Sequence, residues 1–154
     1  MQISKVKASK ISLLRNKKMT DKELIEKAKK AAENAYVPYS GYTVGAALLS
    51  ESGKVYTGCN IENAAYGPTN CAERTAFFKA VSEGERDFSK IAVVGGKDLH
   101  FKDYFAPCGV CRQVMKEFCE DDFIILLGKD GEDFMSVTLS ELLPLSFSKS
   151  NIEK

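Results

Sequence analysis

Histidine is nearly absent: His100 is the only one in 154 residues, which rules out a histidine-rich metal site. No apolar run approaches the roughly 20 residues that a bilayer-crossing helix needs. The N-terminus also lacks the apolar core of a secretory signal. The expectation is a soluble protein with no membrane partner, located in the cytoplasm. Charge of one sign is lacking overall, since the formal net charge is +1. The imbalance is local, because residues 1–18 hold Lys5, Lys7, Lys10, Arg15, Lys17 and Lys18 and no acid, a basic extension of +6 that leaves the rest of the chain at −5. An acidic body does not suit a nucleic-acid surface. The extension reads as a disordered tail ahead of one domain over 19–154, with Met19-Thr20-Asp21 opening a capped helix. Cysteine is scarce and odd in number, with five residues, so a reducing compartment and thiolate ligands fit better than a disulfide framework. At 44% hydrophobic content the chain can bury one substantial core.

What is present alternates between helical and extended patterns. Leu24, Ile25, Ala28, Ala31, Ala32 and Ala35 recur at a helical period, which predicts a helix over 20–36 that stops before Pro38. Residues 43–49 and 54–59 form apolar runs joined by Ser50-Glu51-Ser52-Gly53, a hairpin. Residues 60–70 have neither period, and a loop of that length in a small domain usually serves a site. Asn70 is placed to cap a helix over 71–82 with Cys71 in its first turn. A strand over 91–95, a second cysteine helix from Pro107 to about Cys119, a strand over 123–127, an edge strand over 133–137 and a helical turn over 138–143 follow. The order predicts an α/β domain with helices on both faces of a sheet, and with both cysteine-bearing helix N-termini at the C-terminal edge of the strands, where open α/β sheets place ligands.

Three cysteines carry the chemistry. Cys108 and Cys111 are three apart behind Pro107, a spacing that turns both thiolates toward one metal at a helix start, and Cys71 supplies a third soft ligand. A structural zinc closes its tetrahedron with a fourth protein ligand, whereas a catalytic zinc keeps one position for water. Glu73, two residues from Cys71, is placed to move that water's protons. Alone, a Cys-x-x-Cys pair equally suits a redox or structural motif, and a carboxylate in a first helical turn equally suits the helix dipole. Cys119 lies eleven residues from Cys108, about 16 Å along a helix, too far for the same ion. Cys59 ends a strand and reads as core, and His100 reads as a solvated loop residue. Three thiolates on Zn²⁺ leave a net charge of −1, which Arg74 could offset by a hydrogen bond to a ligand sulfur.

Together Cys71-Ala72-Glu73-Arg74-Thr75-Ala76, Pro107-Cys108-Gly109-Val110-Cys111-Arg112-Gln113, the string from Gly58 to Gly67, Tyr36-Val37-Pro38-Tyr39-Ser40 and Leu142-Leu143-Pro144 closely resemble the small homotetrameric cytidine deaminases. The resemblance spans about 21–147. It implies a three-layer α/β/α fold around a five-stranded mixed sheet, Zn²⁺ on Cys71, Cys108 and Cys111, and Glu73 as the catalytic proton shuttle. It further implies that Asn60 and Glu62 hydrogen-bond ribose hydroxyls, that Tyr42, Tyr66 and Ala72 line the substrate site, and that Phe147 reaches into a neighbouring subunit's site within a homotetramer. Tyr42 stands where many members carry Phe. The implied reaction is hydrolytic deamination of cytidine and deoxycytidine in pyrimidine salvage, by hydroxide that zinc generates from water. The alternative is a deaminase of a modified nucleoside such as blasticidin S, whose family shares the cysteine motifs.

Overall fold

Thr20 and Glu23 form a reciprocal cap. The Thr20 hydroxyl accepts the Glu23 N–H at 3.2 Å, and the Glu23 carboxylate accepts the Thr20 N–H at 2.9 Å, satisfying two donors at the helix start. The helix that follows, α1 (Asp21–Ala32), buries Leu24, Ile25, Ala28, Ala31 and Ala32. The computed structural model describes residues 18–152, so the predicted extension lies, apart from Lys18, outside the described residues. Helix α1 ends four residues earlier than its periodicity predicts. Tyr36 is drawn out of the helix because its N–H donates to Asn60 O at 3.0 Å while its carbonyl accepts Glu62 N–H at 2.8 Å. The 60–70 loop therefore sets the helix end.

Five strands follow: β1 (Tyr42–Ser50), β2 (Val55–Cys59), β3 (Phe88–Lys97), β4 (Ile124–Gly128) and β5 (Phe134–Thr138). They lie in the order β2-β1-β3-β4-β5, and only β3 and β4 are parallel. This is the five-stranded mixed sheet that the family resemblance implies. Strand β3 is longer than predicted at both ends, since it pairs with β1 from Phe88 to Lys97 and ladder hydrogen bonds extend it past its β-branched centre. Helices α2 (Ala72–Ser82), α3 (Gly109–Phe118) and the short α4 (Leu139–Leu142) are the other helices among the described residues, with a 3₁₀ turn at Lys149–Asn151.

Alternation along the strands builds two cores. Ala47, Leu49, Ala92, Val94 and Leu126 meet α1. Val44, Ala46, Leu48, Ile91, Val93, Ile125 and Leu127 meet Ala72, Ala76, Phe77 and Ala80 of α2 and Cys111 and Met115 of α3. Fully buried Phe77 touches Phe88 edge-on at 5.0 Å and stacks near Phe118 at 6.1 Å, so one ring ties α2 to β3 and α3. Burying such a side chain contributes roughly 1.5–3 kcal/mol from area alone. Helix α2 also rests directly on β2. A Cβ at Gly58 would lie 2.4 Å from Ala72 O and 2.5 Å from Ala76 N, so only glycine lets the helix approach this closely. Strands β2 and β3 both run antiparallel to β1, and their C-terminal ends share one sheet edge. The N-termini of α2 and α3 converge there. Among the described residues no helix is long and apolar enough to cross a membrane.

Candidate active site

Cys71 and Cys108 are the N-cap residues of α2 and α3, both in extended backbone and neither with a capping side-chain hydrogen bond. Their sulfurs are therefore not spent on the helix ends. The predicted cap Asn70 is not the cap; its side-chain amide donates to Thr75 Oγ1 at 3.1 Å, leaving the N-cap to Cys71. One turn into α3, buried Cys111 points its sulfur at the other two, and the three Sγ atoms lie within 4.8 Å of one another. The Cys71 and Cys108 sulfurs are 3.8 Å apart. A tetrahedron with Zn–S bonds of about 2.3 Å has an edge of about 3.8 Å, so this donor set fits zinc. Among the described residues no His, Asp or Glu ligand atom joins the group. Three soft ligands without a fourth leave one coordination position for water.

The electrostatics around the trio are divided by burial and by charge. A hydrogen bond from Cys111, helped by Arg74, pulls Cys71 down to about 5. Cys111 is pushed the other way, first by that same bond to Cys71 and then by burial. Sulfurs this close repel as thiolates, and a divalent cation among them would relieve that repulsion. Arg74 donates from Nη2 to Cys71 Sγ at 3.4 Å, and its Nε is buried with no protein partner. A fixed guanidinium beside the ligand sulfurs offsets thiolate charge, as the sequence argument requires. Glu73 is 4% exposed. Burial, with the Cys71 charge adding to it, pushes its carboxyl up to about 7, which suits a group that must both take and give protons near neutrality.

A pocket of about 220 Å³ opens over this floor, and Cys71, Cys108, Glu73, Ala72, Asn60, Glu62 and Tyr42 all line it. Asn60 uses its side chain on the β1 backbone, accepting Val44 N–H at 2.8 Å and donating to Tyr42 O at 2.8 Å. One amide proton and one lone pair remain for a ligand. Glu62 accepts the N–H groups of Tyr39 at 3.0 Å and Ser40 at 3.3 Å, and also the Ser40 hydroxyl. The Ser40 hydroxyl leads the causes that lower the Glu62 pKa. Both residues thus shape the pocket wall and keep spare acceptor capacity toward it.

Two of the residues named for substrate contact do not line this pocket. Tyr66, with φ of 58° and 74% exposed, stands edge-on to Tyr39 at 6.3 Å beside an adjoining hollow that shares Glu62 and Thr69 with the pocket. Phe147 is 61% exposed, and its carbonyl accepts a hydrogen bond from Gln113 Nε2 at 2.9 Å. Beside Gln113, Arg112 donates from Nε to Pro107 O and from Nη1 to Leu142 O, both at 2.7 Å. Cys119 is buried at the end of α3 and its thiol is pushed up to about 12 by burial, while His100 is exposed. Neither belongs to the metal group. Phe105, Thr69, Val44 and Ala106 also line the pocket, and sequence reasoning missed them. Their only signal is proximity to motif residues, and Phe105 and Thr69 sit in segments without periodicity. A larger hollow of about 600 Å³ lies between the end of α3 and the C-terminal segment, far from this chemistry.

Residues 18–127 match the family model described as the cytidine and deoxycytidylate deaminase zinc-binding region. The chain is 52% identical over 134 residues to a cytidine deaminase of Sporosarcina psychrophila, covering 87% of this chain and 96% of that one. It is 54% identical over 129 residues to a cytidine deaminase of Halalkalibacterium halodurans, covering 84% and 95%. A blasticidin-S deaminase of Bacillus cereus is 31% identical over 134 residues, covering 84% and 94%. The crystal structure of cytidine deaminase from Burkholderia pseudomallei superposes with a TM-score of 0.78 at 48% identity, covering 84% of this chain and all of that one.

Proposed function

The chain belongs to the cytidine and deoxycytidylate deaminase family, and from that premise we propose that it is a zinc-dependent cytidine deaminase, hydrolysing the 4-amino group of cytidine and deoxycytidine to give uridine or deoxyuridine and ammonia. The observation that carries the reading is the floor of the pocket: three sulfurs at zinc spacing with buried Glu73 beside them and no fourth ligand among the described residues. Cys71, Cys108 and Cys111 would hold the Zn²⁺, which when bound supplies a Lewis acid that lowers the pKa of water toward about 7.

The protein's own groups do the rest. The Glu73 carboxylate takes a proton from the attacking water and delivers it to pyrimidine N3, which makes C4 electrophilic. As the C4–N4 bond breaks, the same carboxyl passes the second proton of that water to the departing amino group. The oxygen stays on C4 as the carbonyl, N3 keeps its proton, and ammonia leaves. Arg74 tempers the thiolate charge that would otherwise oppose deprotonation of the water. Asn60 and Glu62 hold the ribose hydroxyls with their remaining donor and acceptor capacity, Tyr42 lays its ring against the nucleoside, and Ala72 forms floor between ligand and acid.

The site is completed by other copies of the chain. The 220 Å³ pocket is smaller than the roughly 300 Å³ at which small-molecule sites begin. Tyr66 and Phe147 are exposed, and Leu145 is fully exposed at a φ of 52°. Rings and a strained leucine left in water make sense as surfaces covered on assembly. A homotetramer in which Tyr66 and Phe147 serve neighbouring sites accounts for them. Free cysteines throughout fit a cytoplasmic enzyme of pyrimidine salvage. An absorbance assay with cytidine, deoxycytidine and blasticidin S, paired with metal analysis, tests the reading. Cytidine and deoxycytidine should turn over and one zinc per chain should be found; zinc-free protein, or turnover of blasticidin S alone, would overturn it.

A further inference from the structure

Phe105 is in the pocket wall and has no part in the mechanism above. It comes off the loop that delivers Cys108 three residues later, so it arrives on the metal side of the pocket, while Asn60 and Glu62 enter from the end of β2. Its place depends on a missing side chain. A Cβ at Gly95 would lie 2.4 Å from Phe105 Cδ1 and 2.5 Å from its Cγ, well inside van der Waals contact. Gly95 pairs with Val44 across β1 and β3, and Val44 is itself a pocket residue. The ring therefore lies down on the bare sheet backbone beside the pocket, between it and a second hollow that Tyr42, Gly95 and Phe105 also line. There it stacks with Tyr42, centroids 6.4 Å apart and planes 25° apart, and stays 36% exposed. Two parallel rings with exposed area in a pocket are a stacking wall for a flat heterocycle.

We propose that Phe105, seated by the absence of a side chain at Gly95, is a substrate-positioning residue that walls the pyrimidine ring over the reacting centre. This rests on the pocket taking a cytosine nucleoside. Phe105 positions the base, Gly95 positions Phe105, and the two act as one device.

Steady-state kinetics on zinc-loaded wild type, Phe105→Ala, Phe105→Leu, Gly95→Ala and the Gly95→Ala/Phe105→Ala double variant test this, with titration calorimetry of the product uridine as a second readout. Phe105→Ala should raise KM for cytidine and weaken uridine binding by roughly five- to a hundredfold, with the effect falling on KM more than on kcat and zinc retained. Phe105→Leu should recover only part of the loss, since it restores bulk without the ring face. Gly95→Ala should raise KM by itself but add nothing once Phe105 is already alanine. Should Gly95→Ala fail to fold while the double variant folds, the seating contact is upheld, and Phe105→Ala alone decides the positioning role. A wild-type KM for Phe105→Ala, or additive effects of the two substitutions, would overturn the proposal. A zinc-loaded wild type inert toward cytidine would instead sink the functional reading beneath it.

Discussion

The floor and the rim of the pocket are built to different rules. On the floor, Cys71, Glu73, Cys108 and Cys111 sit at or within one turn of two helix starts, and those helices are pinned by Gly58 under α2 and by Phe77 between α2 and α3. Glu73 is 4% exposed, whereas Tyr42 on the rim is 47% exposed. Asn60 and Glu62 stand between the two, tied by their own side chains to the β1 backbone and the Tyr39-Ser40 turn. The contrast teaches that one chain by itself assembles the cysteine cluster and buried Glu73, while the walls above them stay open to solvent, which is the division that the proposed assembly requires.

That division can be broken from either side. Replacing Cys108 with Ala removes one of three ligands; metal analysis should find zinc lost and turnover abolished, with circular dichroism retaining the fold of the two cores. Zinc at full occupancy in that variant would remove Cys108 from the ligand set. Glu73→Gln should keep its zinc and lose about 10²- to 10⁴-fold in kcat, the usual worth of positioned proton transfer, and near-normal turnover would take the shuttle role from Glu73. Phe147→Ala should raise KM by about tenfold while sparing zinc, in line with about 1–3 kcal/mol for a ring stacked on a base. Mixing that variant with Glu73→Gln after dissociation should restore a fraction of turnover at the wild-type KM, which neither variant shows alone, since a shared site can draw a sound acid from one chain and a sound ring from another; no such low-KM component would confine each site to a single chain. The smallest effect tests what pins the floor. Gly58→Ala should cost about 1–3 kcal/mol of stability by overpacking, seen as a lower melting temperature, and an unchanged melting curve would mean that α2 can shift at no cost.

The legibility of the sequence follows the same division. The Cys and Glu spacings were readable because helix geometry converts short sequence distances into shared direction, and the strands were readable because they carry apolar runs between turn residues, while their mixed pairing came from the family resemblance. The end of α1 was not, since Ala35 continues the period and only the distant carbonyl of Asn60 pulls Tyr36 away. Asn70 fits a cap by residue type, yet the nearby Thr75 hydroxyl takes its amide. Phe105 left no trace beyond its nearness to Cys108, because the ring packs against Gly95 on another element. Long-range packing decides such residues, and no window of sequence contains it.

Arg112 and Gln113 are consecutive on α3, and they hold opposite ends of the design. The guanidinium grips the ligand loop at Pro107 and the tail at Leu142, and the amide grips the tail again at Phe147. A single turn of helix thus carries the buried Cys111 sulfur and anchors the backbone that presents the exposed Phe147 ring. In the proposed assembly, any loosening of that turn would be felt in two sites at once, the one it carries and the one it lends to.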